Sequence, residues 1–228
     1  MYIDLGIPYG SKDAVFLADK IGSFVRENAL AASQALASER GTFAHYNPDT
    51  YDYAPRRNAL LMSVQPTAST SLIMGTSSTV DPYFANVYSR ETLGGKYTIV
   101  IHQLVEQLKE KGIWSEELKN KIVAKQGSIQ DIEELDGYIN KELFKTSYET
   151  GWTSQIDIAA ALQQHVDQAI SRNMYIKDDQ RGDMQDIYMY AWKQRLKGTY
   201  YCFIEKKIQG EKYTQSVNKR GARKGFGA

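Results

Sequence analysis

A short, nearly continuous apolar run, Ala59-Leu60-Leu61-Met62-Ser63-Val64, leads straight into Gln65-Pro66 and then into a cluster of small residues, Thr67-Ala68-Ser69-Thr70-Ser71. An apolar run this short, without polar alternation, predicts a strand buried on both faces. Strands of that kind belong to sheets covered by helices on either side, so the run points to an α/β architecture. Pro66 ends the strand, and Leu72-Ile73-Met74 beyond the small cluster reads as the body of a helix.

The rest of the chain alternates in the same way. Gly6-Ile7-Pro8-Tyr9-Gly10 is a turn, and Ser11 is the expected N-cap of a long helix with Asp13 in its first turn. Leu17, Ile21, Phe24, Val25, Ala29, Ala32 and Leu36 keep helical spacing up to Gly41, a natural stop, and the alanines allow close approach of a neighbour. Residues 45–57 are polar, with Asn47-Pro48-Asp49 as a turn. After a second break at Asp81-Pro82, residues 88–92 and 96–100 flank Leu93-Gly94-Gly95 and predict a hairpin. Leu104, Val105 and Leu108 then lie on one helical face ending at Gly112, and Ser115 caps a segment that opens with Glu116 and Glu117. Residues 127–136 read as a connector and 138–145 as a short helix. Ile156, Ala159, Ala160, Gln163, Val166 and Ile170 are helical again, and residues 172–176 are extended. Asp183 caps a last helix through Ile187, Tyr188, Ala191, Trp192 and Leu196, closed by Gly198, and residues 199–204 have strong strand propensity. Strands alternating with helices predict parallel pairing.

Composition narrows the function classes. The 228 residues suit one domain, and 28 basic against 27 acidic side chains argue against a dedicated nucleic-acid binder, which needs a basic excess. A single Cys excludes a disulfide framework, a thiolate zinc site and a dithiol couple within the chain. No apolar run approaches the roughly eighteen residues of a membrane span, and the expected setting is the reducing cytoplasm. The last ten residues, 219–228, carry four basic side chains among glycines and read as a flexible tail.

Three places invite chemistry. Pro66, Thr67, Ala68, Ser69 and Thr70 put small hydroxyl residues and free backbone N–H groups at a helix start, a good seat for phosphate or diphosphate. The bland alternative is a plain hydroxyl N-cap, and the lysine and glycines of a Walker loop are missing. Tyr200-Tyr201 stands out in a chain with 16 Tyr against 7 Phe. On a strand, neighbouring side chains point to opposite faces, so the pair is ordinary strand aromatics unless the backbone brings the rings together to pass an electron and a proton. Cys202 has no His nearby in sequence and reads as an inert, buried thiol. His45, His102 and His165 lack metal-ligand spacing.

Several of these segments together resemble one family. Arg57-Asn58-Ala59-Leu60-Leu61 with residues 66–71, then Asp81-Pro82-Tyr83-Phe84-Ala85-Asn86-Val87-Tyr88 and Arg90, resembles the large, catalytic subunit of class I ribonucleotide reductase. The likeness continues through Gly112-Ile113-Trp114, Gly127-Ser128-Ile129-Gln130, Asp167-Gln168-Ala169-Ile170-Ser171-Arg172-Asn173, Trp192-Lys193-Gln194 and Leu196-Lys197, and ends at Tyr200-Tyr201. The resemblance implies the C-terminal part of a ten-stranded α/β barrel, occupying residues 1–218. It implies that Pro66, Thr67, Ala68, Ser69 and Thr70 bind the diphosphate of a ribonucleoside diphosphate, and that Tyr200 and Tyr201 are a stacked pair relaying a radical toward an active-site cysteine. The reaction implied is reduction at the 2′ carbon, with a thiyl radical removing the 3′ hydrogen.

The departures from the family are also informative. Its thiyl-forming cysteine, two redox cysteines and nearby Asn and Glu lie upstream of the segments found here, and its tail carries a further cysteine pair. One Cys cannot fill these roles. The expected partners are therefore an N-terminal part of the large subunit, a small subunit holding the radical cofactor, and a thiol reductant of the thioredoxin or glutaredoxin type. No cofactor, membrane or nucleic acid is expected for this chain itself. A non-catalytic remnant or a nucleotide-binding assembly protein is the alternative.

Overall fold

A computed structural model of the chain describes residues 1–92 and 95–205. Leu93 and Gly94 of the expected hairpin turn, and the tail 219–228, lie outside the described residues. The elements run α1 (Lys12–Arg40), α2 (Ala68–Met74), β1 (Val87–Thr92), β2 (Gly95–Val100), α3 (His102–Glu110), α4 (Glu116–Ala124), α5 (Trp152–Gln163), β3 (Met174–Ile176), α6 (Met184–Lys193) and β4 (Cys202–Ile204).

Ser11 caps α1 by accepting the Ala14 N–H, and Gly41 ends it at φ 76°. The face of α1 buried in this chain is a stripe of small residues, Ala14, Ala18, Gly22, Ser33 and Ala37. They let α5 come close, with Ala14 and Ala18 packed on Ile158 and Ala161. At Gly22 the ring of His165 lies so near that a Cβ would sit 2.6 Å from it. The larger residues Phe24 and Val25, part of the helical pattern in the sequence, face outward.

Antiparallel β1 and β2 form the expected hairpin, in register from Val87–Val100 to Thr92–Gly95. Its base enters a core made with Leu104 and Leu108 of α3, Leu118 and Ile122 of α4, and Ile129, Leu135 and Phe144. Ser115 caps α4 as expected. Buried Asn86 ties this core together, its side-chain amide donating to the carbonyls of Gly127 and Phe144. Gly127 is required there: its φ is +84° and a Cβ would fall 2.4 Å from that of Ala85.

The second core surrounds a β3–α6–β4 unit in which the two strands run parallel, as the alternation predicts. Gln155 of α5 stands where another strand would be. Its amide accepts the Tyr175 N–H and donates to the Tyr175 carbonyl, both at 3.0 Å, so the free edge of β3 is satisfied by one side chain. Among the described residues the strands make two separate two-stranded sheets, so no barrel closes within them.

Three expectations need correction. The run 59–64 is not a doubly buried strand: none of its residues is buried, and it forms no ladder. It is an extended strap held on one side, Met62 and Val64 accepting the N–H groups of Asp167 and Ser171. Leu61, Met62 and Val64 are only half-buried and the other three residues are exposed, so the strap is covered in part and not sealed on both faces. The pattern read through Val166 and Ile170 breaks at Gln163, whose side chain donates to the carbonyls of Val166 and Gln168 and folds the chain back. The last helix stops at Lys193 rather than near Gly198, because Arg195 adopts the left-handed turn at φ 61°.

Candidate functional site

The hydroxyl-rich segment does open a helix, α2. Thr67 stands at its N-cap, but its hydroxyl makes no capping bond and instead accepts the Thr79 N–H at 2.9 Å. The plain-cap alternative therefore does not describe this turn. Ser71 N–H returns to the Thr67 carbonyl at 2.9 Å, while the N–H groups of Ala68, Ser69 and Thr70 belong to the first helical turn, which has no internal acceptors. Ala68, Ser69 and Thr70 are exposed, and Pro66 leads in from the exposed strap. Thr79 supports this turn in a left-handed conformation, φ 52°, which costs a β-branched residue on the order of 1–2 kcal/mol.

Two residues beyond Thr79, Asp81 is 5% exposed. Its Oδ2 accepts both the backbone N–H of Asn173 at 3.1 Å and its side-chain amide at 3.0 Å. Burial pushes the Asp81 carboxyl up to about 6, against the opposing pull of the Arg172 charge and the Asn173 donors. Arg172 is 3% exposed and donates to the Asn173 carbonyl at 3.0 Å. Tyr9 reaches in from the N-terminal turn, its hydroxyl donating to the Val80 carbonyl at 3.0 Å, and burial raises its phenol.

Tyr200 and Tyr201 lie just before β4, not on it, and both are 53% exposed. Leaving the strand frees them from facing apart: the rings meet edge to face, 5.8 Å between centroids at 76°, rather than stacked. Tyr201 is fixed through its carbonyl, which accepts the Met174 N–H at 2.8 Å. Its ring continues to Phe203 at 6.4 Å, and Phe203 stacks on Tyr175 at 5.5 Å. Burial raises the phenol of Tyr175. Between the pair and Phe203, Cys202 is half-buried rather than buried as expected, and that burial raises its thiol, partly countered by Arg172.

The hydroxyl-rich turn and the tyrosine pair are thus joined by a short scaffold: Thr67 to Thr79, Asp81 to Asn173, and Met174 to Tyr201. Reading the sequence missed Asp81, Asn173 and Asp167 as individual actors, although each sits in a segment that carried the resemblance. Asp167 holds the strap, its carboxylate accepting from Leu61, Met62 and Arg26 at 2.6, 2.9 and 2.7 Å. Burial pushes that carboxyl up, but these donors prevail and leave it below its ordinary value. An open groove of about 940 Å³ between α1, α5 and α6 is lined by Lys12, Asp157, Lys193, Arg195 and Lys197, and includes neither candidate segment. Among the described residues no three His, Cys, Asp or Glu side chains gather as metal ligands, and no helix is long and apolar enough to cross a membrane.

These features define an open α/β protein in which a hydroxyl-rich helix start and a tyrosine pair share one scaffold. The family model of the ribonucleotide reductase barrel domain matches residues 53–202. The large subunit of ribonucleoside-diphosphate reductase from Dictyostelium discoideum is 36% identical over 230 residues, taking in 88% of this chain and 26% of its own length. The corresponding alpha subunit from Chlamydia pneumoniae is 28% identical over 257 residues, covering 96% of this chain and 24% of its own. Among solved structures, the alpha subunit of the class Id ribonucleotide reductase of Actinobacillus ureae superposes with a TM-score of 0.75 at 31% identity, over 90% of this chain and 36% of that one. The chain belongs to the ribonucleotide reductase barrel-domain family. It spans about a quarter of the length of these curated relatives.

Proposed function

We propose that the chain is the C-terminal portion of the catalytic subunit of a ribonucleoside-diphosphate reductase, with residues 1–218 as barrel and 219–228 as tail. The observation that carries this reading is the shared scaffold between the 66–70 turn and the Tyr200-Tyr201 pair, in a chain of this family. In the proposal, the unpaired first-turn amides and the hydroxyls of Thr67, Ser69 and Thr70 hold the substrate diphosphate, where aligned N–H dipoles favour negative charge. Tyr200 and Tyr201 relay the radical. Each hop takes one electron and one proton from the next phenol and restores both to the one before, and the contact between the two rings supports that exchange.

The remaining chemistry comes from partners. The thiyl and redox cysteines belong to an N-terminal part of the large subunit, the radical cofactor to a small subunit, and the final electrons to a thioredoxin- or glutaredoxin-type thiol. The exposed apolar surface supports an extensive partner: Ile73 is 84% and Trp192 70% exposed, and Phe16, Phe24, Leu60 and Met74 are also uncovered. A second reading, a nucleotide-binding assembly protein without turnover, is favoured by the single, half-buried Cys202. Co-expression with cysteine-bearing N-terminal parts and small subunits, followed by an assay for deoxynucleoside diphosphate, separates the two. Product supports the reductase; nucleotide binding without product in every combination supports the alternative.

A further inference from the structure

We propose that Asp81 is a positioning residue that locks the 66–70 turn and the tyrosine pair into one frame through the two hydrogen bonds it accepts from Asn173. The roles of those two segments rest on the reductase reading; the mechanical coupling does not. Three hydrogen-bonded steps lie between them. Thr79 N–H reaches Thr67 Oγ1 at 2.9 Å, Asp81 Oδ2 takes both donors of Asn173, and Met174 N–H reaches the Tyr201 carbonyl at 2.8 Å. The steps are separated by only two residues of backbone at 79–81 and one at 173–174. Asp81 is the member whose side chain crosses the gap, and its burial leaves water no easy access to replace it.

The neighbouring contacts show what Asp81 does and does not hold. Pro82 and Tyr83 accept from the side chain and backbone of Ser147, both at 2.8 Å, so the following segment stays anchored to the first core without Asp81. On the other side of the turn, the Ser171 N–H bond to Val64 at 3.0 Å keeps the strap in place. Residues 171–173 therefore grip the turn from both ends. The upstream grip is backbone to backbone, and the downstream grip depends on a side chain.

Asp81→Ala removes the acceptor, whereas Asp81→Asn keeps one oxygen where Asn173 donates. Hydrogen exchange on the full-length chain reads both ends at once, using the amides of Ser71 and Thr79 for the turn and of Met174 and Glu205 for the tyrosine side. The expected result for Asp81→Ala is faster exchange at both ends by about tenfold or more, with the α3 amides unchanged, and recovery toward wild type in Asp81→Asn. Acceleration at one end only, no change at either, equal acceleration in α3, or an Asn variant as loose as the Ala variant overturns the coupling. The readout needs no turnover. Coupling can therefore hold while the reductase reading fails, and the reverse outcome is equally visible.

Discussion

At the scale of single residues, burial and hydrogen bonding compete at Asp81. Burial lifts its carboxyl from 3.8 to about 6, so between those values the folded chain binds a proton that the unfolded chain has lost. The group's contribution to stability therefore falls as pH rises from about 4 to about 6. Urea unfolding of wild type and Asp81→Asn at both ends of that window cancels the other carboxylates. Wild type should gain on the variant by about 2 kcal/mol on going from pH 6 to pH 4. A constant difference between the two would show that the carboxyl is not held as described. Ser69 is a separate case, exposed and free of packing duties. Ser69→Leu should leave stability within about 0.5 kcal/mol and weaken substrate diphosphate binding about tenfold or more in the assembled enzyme. Unchanged affinity in a binding titration would remove the phosphate assignment.

At the scale of elements, what the sequence made legible was whatever local chemistry decides. Ser11 and Ser115 announce helix starts because a hydroxyl accepts an N–H three residues on, and both caps are present. The hairpin and the β3–α6–β4 unit follow from periodicity and β-propensity. What stayed hidden depends on residues far apart in the chain. Gln155 replaces a strand by contacting Tyr175, 20 residues away, and Asp81 finds Asn173 across 92. No local pattern encodes either. The strap 59–64 has the composition of a core strand but pairs with no strand among the described residues, so its apolarity alone was misleading. The tyrosine pair failed as strand residues for a different reason: β4 begins only at Cys202, and two positions of irregular backbone suffice to turn adjacent rings toward each other. The hydroxyl-rich turn was legible as a helix start, but its support by Thr79 was not.

At the scale of the whole molecule, the small-residue face of α1 is buried while Phe16, Phe24, Ile73, Met74 and Trp192 stay in solvent. Such a surface is covered by another protein or covers itself. Size-exclusion chromatography of the chain alone should show self-association that disappears on adding the cysteine-bearing part; a monodisperse monomer in both conditions would contradict the proposed assembly. The central claim is that Tyr201 carries the radical beside a diphosphate seat. Its most direct test compares wild type with Tyr201→Phe, assembled with the N-terminal part and the small subunit, measuring deoxynucleoside diphosphate formed and substrate bound in the same samples. The account predicts product from wild type, none above background from the variant, and equal substrate binding by both. Turnover by Tyr201→Phe at the wild-type rate would contradict it.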